Sequence, residues 1–137
     1  MIKADYILHE FLSRILDDRF FSNIQITRAY PKAVKPTVLE NVAVAVGIKS
    51  IELDENSINE NVKAGTFSIF TDIFLPFEFD QTVPESIVFR ICKDVSDFNI
   101  VSIQISEIKA NSLAGCYVMR AVFTFNNQLN FGGNDDE

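Results

Sequence analysis

The stretch "TFSIFTDIFLP", residues 66–76, decides the fold because it predicts a β-strand with large apolar side chains on both faces. Side chains alternate between the two faces of a strand, and one face here carries Phe67, Ile69, Ile73 and Leu75. The other face carries Ser68, Phe70, Asp72 and Phe74. A sheet that is wet on one side is polar on that side, so the two phenylalanines on the second face need a cover. Either one of the chain's own helices or a neighbouring subunit supplies it.

The composition predicts one globular domain with an acidic surface. The chain has 137 residues, of which 47% are hydrophobic, and this length suits one domain with one core. The formal net charge is −7, and the C-terminal residues Asp135, Asp136 and Glu137 contribute to it. Tight binding of nucleic acid needs a basic surface, so we expect none here.

The sequence predicts neither a membrane span nor a signal peptide. No apolar run approaches the roughly 20 residues that cross a bilayer. The N-terminal stretch "MIKADYILHEFLSRILDD" is interrupted by charges, and no small-residue cleavage site follows it. We therefore expect no membrane association and a protein that stays in the cytoplasm of the cell that makes it. Cys92 and Cys116 lie in apolar patterns, which predicts buried free thiols rather than a disulfide.

Two segments have the periodicity of amphipathic helices. Residues 4–18 carry an apolar stripe that consists of Ile7, Leu8, Phe11, Leu12, Ile15 and Leu16. A second helix begins near residue 82, where Thr82 and Glu85 match a capping box and Pro84 suits the first turn. Its apolar stripe consists of Ile87, Val88, Ile91, Cys92 and Val95.

Five segments predict strands, namely residues 23–30, 42–53, 66–76, 100–109 and 115–126. In the second of them, larger apolar residues alternate with Ala43, Ala45 and Gly47, a face of small residues that would let a helix come close. The alternation slips after Ile48, which predicts a bulge near residues 47–50. The polar residues 54–65 predict a long loop, and loops of this length are usually functional or mobile.

The predicted order of elements is α-β-β-β-α-β-β. It indicates the α+β class, with a mostly antiparallel sheet of about five strands and two helices. We expect a single domain over residues 1–126 and a flexible acidic tail over residues 127–137.

No pattern of residues predicts catalysis, a cofactor or a bound metal. His9 is the chain's one histidine, and a lone helical histidine is seldom a base or a ligand. We therefore expect a protein that is not an enzyme and that holds no cofactor and no metal. Asp72 is of greater interest, because an ionised carboxylate between Phe70 and Phe74 needs water or a cationic partner. The candidate partners are Arg90, Arg120 and Lys49.

A small α+β ligand-binding module or enzyme is the alternative interpretation. A pocket between helix and sheet, lined by phenylalanines and the carboxylate of Asp72, would bind a small molecule. Other interaction proteins, such as a bacterial regulator or a secretion-system component, stay open as well.

Six segments occur in an order that is typical of a known family. They are "NVAVAVGIKSIEL", "DENSINENVKAG", "TFSIFTDIFLP", "TVPESIVFRICKDV", "VSIQISEIK" and "CYVMRAVFTFN". In this order the chain resembles the tail-terminator proteins of long-tailed phages, which include the lambda-type family and its relatives in contractile tails and phage-tail-like bacteriocins. The resemblance covers residues 1–126 and lies in element order, length and texture, and "FLP" at residues 74–76 is its most specific piece. The "AYPKAVKP" loop and the acidic tail have no counterpart in it.

The resemblance implies an α+β subunit of a virion or tail-like particle, assembled in the bacterial host cytoplasm. The subunit would form a hexameric ring that caps the tail tube, ends its growth and joins the tail to neck or collar proteins. The implied partners are other copies of the chain, the tail tube protein, the sheath, and neck or head-completion proteins. DNA would only pass through the lumen, and an acidic ring would keep it from adhering.

In such a ring, sheet faces and long loops line the contacts between subunits. The interface residues that this implies are Phe70, Asp72 and Phe74 on the strand and Asp54, Glu55, Asn56 and Glu60 in the polar loop. A ring neighbour would then cover the two phenylalanines.

Overall fold

Two helices and six strands make up the part of the chain that the computed structural model describes, residues 4–28, 41–53, 62–111 and 115–130. The elements follow in the order α1 (Ala4–Leu16), β1 (Gln25–Arg28), β2 (Ala43–Leu53), β3 (Val62–Leu75), α2 (Val83–Asp94), β4 (Ile100–Ile105), β5 (Lys109–Asn111) and β6 (Cys116–Asn130). Short 3₁₀ helices follow α1 at Arg19–Phe21 and α2 at Ser96–Phe98. The predicted α+β class is confirmed, with one strand more than expected.

The strands form one sheet in the order β1-β2-β3-β6-β4, and β5 also pairs with β6. β1 runs parallel to β2, and the other pairings are antiparallel. β3 pairs with β6 along its whole length, from Val62 opposite Asn130 to Leu75 opposite Tyr117. β6, the last of the described strands, is therefore an inner strand of the sheet, between β3 and β4.

Both helices pack on one face of the sheet, and the hydrophobic core lies between the two layers. The helices contribute Ile7, Leu8, Phe11, Leu12, Ile15, Ile87, Val88 and Ile91. The sheet contributes Val44, Val46, Phe67, Ile69, Ile73, Leu75, Met119, Ala121, Phe123 and Phe125. Phe11 is fully buried, and its ring meets those of Phe98 and Phe123 edge-on at centroid distances of 5.9 and 5.6 Å. Burial of each such large side chain stabilises the fold by about 1.5–3 kcal/mol.

Three element boundaries differ from the prediction. α1 ends at Leu16, and Asp18 then accepts a hydrogen bond from the Phe20 amide, which starts a 3₁₀ helix. β3 begins at Val62, inside the predicted loop, and β6 continues to Asn130, inside the predicted tail. These two extensions pair with each other, so tertiary pairing outweighs their polar composition.

The slip in strand alternation has the predicted cause. The register between β2 and β3 shifts between Ile48 and Ser50, which confirms the bulge. Residues 131–137 of the predicted tail lie outside the described residues, so the flexibility of that end stays a prediction.

The capping box predicted for α2 is wrong. Thr82 precedes the helix, but its side chain makes no capping hydrogen bond. Its hydroxyl instead donates to Asp80 Oδ1 at 2.9 Å, and the Thr82 amide donates to the same oxygen at 2.9 Å. This local turn takes the hydroxyl away from the helix. Pro84 does lie in the first turn, as predicted.

The strand predicted for residues 100–109 is divided in two. β4 ends at Ile105 and β5 begins at Lys109. Between them the Ser106 amide donates to the Arg120 carbonyl at 2.8 Å, and Ser106 Oγ accepts from the Arg120 amide at 2.9 Å. The outer strand here uses more residues than the facing stretch of β6, which makes this break a β-bulge.

Candidate functional site

The sheet face that points away from the core carries the strand residues that the sequence analysis singled out. Opposed pairs on β3 and β6 form most of it, namely Thr66–Asn126, Ser68–Thr124, Phe70–Val122, Asp72–Arg120 and Phe74–Val118. β2 adds Ala43, Ala45 and Gly47. We call this surface the open face, because neither α1 nor α2 packs on it.

Neither α1 nor α2 lies against the small residues of β2, and the bulky groups beside these residues belong to β3. Those residues lie opposite the large ones of β3, in the pairs Ala43–Phe74, Ala45–Asp72 and Gly47–Phe70. The core cluster, which contains both helices, includes Val44 and Val46 on the other face of β2. The small side chains thus give lateral room to large neighbours on the same face rather than to a helix.

Phe70 and Phe74 are half-buried, and neither belongs to the hydrophobic core. Among the described residues, neither helix is the cover, because α1 and α2 both lie on the opposite face. A neighbouring subunit as the cover stays a prediction.

Asp72 has one of its three predicted partners. Arg120 Nε donates to Asp72 Oδ1 at 2.6 Å, and Arg120 Nη2 donates to Oδ2 at 2.9 Å. The side chain of Asp72 is 14% exposed and that of Arg120 is 44% exposed, so the pair lies at the surface with its carboxylate sheltered. A guanidinium that grips a carboxylate through two parallel hydrogen bonds fixes both groups in place.

Arg120 also connects the ion pair to the aromatic part of the open face. Its Cζ atom lies 4.1 Å from the centroid of the Phe70 ring, within the range of a cation–π contact. Phe70, Arg120 and Asp72 therefore form one ordered patch. Aromatic residues and arginine are the types that are enriched in protein–protein interfaces, so this patch is chemically suited to contact another protein surface.

The other end of the open face is polar. Ser68 Oγ and Thr124 Oγ1 are 3.0 Å apart, and Thr66 Oγ1 donates to Asn126 Oδ1 at 3.3 Å. The predicted loop members of the interface, Asp54, Glu55, Asn56 and Glu60, lie outside the described residues. Only the strand residues of that predicted site are therefore brought together here.

Sequence reasoning missed a second surface, at the outer side of β4. Residues 101–110 are all exposed, and they include Val101, Ile103, Ile105 and Ile108. The apolar alternation of "IVSIQI" correctly predicted a strand. It contained no sign that this strand lies at the edge of the sheet, because that position depends on which strands pair.

The described residues also form a cleft of about 270 Å³ between α1 and the segment that follows α2. It is lined by Tyr6, Ile7, Glu10, Arg14, Asp97, Phe98, Asn99 and Asn126, and Asp72 is not among them. Arg14 donates to both carboxylate oxygens of Asp97 at 2.5 Å, and the hydrogen bond holds the pKa of Asp97 below its usual range. A small-molecule site at Asp72 stays a prediction, and this cleft offers it no support.

A second cluster of charges joins the end of α1 to α2. Asp18 accepts from Arg90 Nε at 2.5 Å and from Arg90 Nη2 at 2.9 Å, and these bonds hold the pKa of Asp18 well below its usual range. Burial raises the pKa of Asp94 to about 6, and the neighbouring Asp18 carboxylate with its negative charge adds to this shift. Within the described part of the chain, the buried Asp94 Oδ2 has no hydrogen-bond partner.

Neither the cysteines nor any cluster of possible metal ligands in the described residues indicates a second functional site. Cys116 is buried and Cys92 half-buried, both are free, and burial raises the pKa of each thiol. In residues 4–28, 41–53, 62–111 and 115–130, no three His, Cys, Asp or Glu side chains come together as metal ligands would. No helix in those ranges is long and apolar enough to cross a membrane. The sequence matches no protein-family model, and it matches no curated protein.

Proposed function

We propose that this chain is a structural assembly subunit that caps a phage tail, or the tail of a phage-tail-like particle, as a hexameric ring. The ring ends growth of the tail tube and joins the tail to neck or collar proteins. This function follows the resemblance of residues 1–126 to tail terminators, and the open face is the observation that supports it best.

The open face supports the proposal because its aromatic and charged side chains form a surface that another protein can cover. Phe70 and Phe74 stay outside the core, and Arg120 holds one of them by a cation–π contact and Asp72 by two hydrogen bonds. A surface that is aromatic, pre-ordered and locally neutral loses little entropy when a partner covers it. A neighbouring copy in a ring is such a partner.

The overall charge is compatible with a ring through which DNA passes. The chain has a formal net charge of −7, and like charges keep DNA from adhering to a lumen wall. The partners that follow are other copies of this chain, the tail tube and sheath proteins, and neck or head-completion proteins.

The test is the mass of the purified protein by light scattering, alone and after addition of tail tubes. The tubes come from the particle whose tail genes neighbour the gene for this chain. We expect a species of six copies, at least on the tubes. A protein that stays monomeric even with tubes present would overturn the proposal.

A matched pair of variants tests whether the open face makes the contact. Phe74→Ser removes an aromatic ring from the open face, and Phe89→Ser removes one from α2, where Phe89 is 69% exposed. We expect Phe74→Ser to lose the ring while its circular dichroism spectrum stays that of the wild type, and Phe89→Ser to keep the ring. Equal loss in both variants, or in neither, would remove the open face from the proposal.

A further inference from the structure

The two outer strands of the sheet, β1 and β4, fit each other as the two sides of a contact between copies. We propose that residues 102–104 of one copy pair antiparallel with residues 25–27 of the next copy, so that the sheet continues from subunit to subunit. This inference rests on the proposed ring and names the contact that closes it. It uses the edges of the sheet, which are separate from the open face.

Among the described residues, no strand lies beyond β1 or beyond β4. β4 is an exposed apolar edge, with Ile105 54% exposed and Ile103 37% exposed. Exposed edges of this kind pair with another strand unless something blocks them, and backbone hydrogen bonds then supply affinity to a sheet-extending contact.

The directions of the strands suit a head-to-tail contact. β1 runs parallel to β2, and antiparallel pairings then follow from β2 to β3, from β3 to β6 and from β6 to β4. β1 and β4 of one copy therefore run in opposite directions. When a second copy is set beside the first in the same orientation, its β1 meets β4 in the favoured antiparallel sense.

The two edges also present the same pattern of side chains. On β4, Ile103 lies on the core side of the sheet, opposite Phe123, and Gln104 lies on the open side, opposite Val122. On β1, Ile26 lies on the core side, opposite Val44, and Thr27 lies on the open side, opposite Ala45. Two registers match the faces: one sets Ile103 opposite Ile26 of the next copy, and the other sets Ile105 there and places Ile103 opposite Arg28. The first is favoured because it keeps Ile103 opposite an apolar side chain. This register also sets Ser102 opposite Thr27 and Gln104 opposite Gln25, so apolar meets apolar and polar meets polar.

The lengths agree as well. The register between β4 and β6 shifts between Ile100 and Ser102, and the bulge at Ser106 follows β4, so the regular part of this edge is residues 102–105. β1 is a strand of four residues, Gln25–Arg28. Because bulges end regular pairing, the contact is short, and in the favoured register it joins residues 102–104 to residues 25–27. A contact that joins two different surfaces is head-to-tail, and such contacts form a ring when the rotation between copies closes and an open filament when it does not.

Cysteine cross-linking tests the contact directly. Thr27→Cys and Ser102→Cys place thiols on exposed strand positions, which the proposed register brings opposite each other, with Cβ atoms about 4.5–5.5 Å apart. The two variants carry tags of different mass, and diamide oxidises them separately and as an equal mixture. We expect the mixed disulfide dimer in the mixture, and neither variant cross-linked to itself. The wild type, with Cys92 and Cys116 alone, is the control for background.

Each other outcome overturns the edge contact. A Ser102→Cys variant that cross-links to itself would mean that β4 pairs with β4 about a two-fold axis. A mixture that stays uncross-linked both alone at about 1 mM protein and on tail tubes would mean that the edges do not meet. Glu107→Cys, beyond the bulge, is the matched control and should give at least 10-fold less mixed dimer with Thr27→Cys.

The failure of this inference and that of the proposed function are distinguishable. A six-copy mass that persists without the Thr27–Ser102 cross-link would leave the ring in place and reject the edge contact. The absence of any assembly on tail tubes would reject the ring itself.

Discussion

Asp72 and Arg120 lie directly opposite each other on β3 and β6, and the guanidinium group that binds the carboxylate also lies over the ring of Phe70. One side chain thus orders both the charged and the aromatic part of the open face. This explains how an ionised residue is accommodated between two phenylalanines on the same strand. The positive charge of Arg120 balances the carboxylate of Asp72, so the carboxylate does not need a helix to cover it.

The Asp72–Arg120 pair should contribute measurably to stability. Exposed ion pairs contribute about 0.2–1 kcal/mol, and hydrogen bonds to charged groups about 1.5–3 kcal/mol. Because Asp72 is sheltered and Arg120 is not, we expect a coupling energy of about 1 kcal/mol. A double-mutant cycle with Asp72→Ala and Arg120→Ala, followed by urea unfolding, measures it.

The control for that cycle is the pair Glu10 and Arg14 on α1. Their charged groups are 3.7 Å apart at i,i+4 spacing, and such pairs contribute about 0.2–0.5 kcal/mol. A coupling for Asp72 and Arg120 no larger than this value would mean that the two-bond geometry adds nothing in solution.

Asp94 should make the protein less stable as the pH rises. Its pKa in the folded state is about 6, against an ordinary value of 3.8, so the folded state binds more protons than the unfolded state between these limits. Stability therefore falls as the pH rises from about 4 to about 6. Asp94→Asn removes this titration and should be more stable than the wild type at pH 7.5, by about 1 kcal/mol. Melting temperatures of both proteins at pH 4 and pH 7.5 check this, and a gain that is equal at both pH values would contradict it.

Asp18 should make the protein more stable as the pH rises, which is the opposite of the effect of Asp94. Its pKa is lowered by the hydrogen bonds from Arg90, so it stabilises the fold above its ordinary value of 3.8, and this stabilisation is lost as the pH falls. Asp18→Asn should cost about 2 kcal/mol at pH 7, since it removes hydrogen bonds between charged groups. The deficit should shrink below pH 3. The same change removes the charge beside Asp94, so the Asp94 pKa, followed by NMR titration, should drop toward its ordinary value.

Replacing Phe11 should lower the stability of the protein far more than replacing Phe89, although both residues lie on helices. Phe11 is fully buried against Phe98 and Phe123, whereas Phe89 is 69% exposed. Phe11→Ala should cost about 3–5 kcal/mol, because it leaves a cavity in the core. Phe89→Ala should change the free energy of unfolding by about 0.5 kcal/mol or less. The urea midpoints of the two variants decide, and similar midpoints would mean that the core does not depend on the Phe11 ring.

Most features that local patterns control were predicted correctly. The apolar stripes placed both helices, and the alternation of β2 and β3 gave the two faces of the sheet together with the bulge after Ile48. Local patterns also singled out Phe70, Asp72 and Phe74 as unusual, and Arg120 as a possible partner. These inferences succeed because they depend on neighbours within a few residues.

The features that depend on distant parts of the chain were missed. Val62 and Asn130 belong to strands because they pair with each other, although each lies in a polar stretch. The Asp18–Asp94 contact joins two helix ends that no sequence spacing relates. The capping box at Thr82 failed for a local reason, since Asp80 competes for the same hydroxyl. The position of β4 at the edge of the sheet depends on which strands pair with β6.

The central position of β6 has a consequence for how the protein is made. The chain leaves the ribosome N-terminus first. β3 and β4 both pair with β6, which is translated after them. The core face of the sheet therefore remains incomplete until Cys116–Asn130 has emerged, and folding cannot be completed during synthesis of the earlier strands. Each nascent chain exposes its apolar strands until β6 has emerged, so aggregation during synthesis should depend on how soon β6 follows the earlier strands.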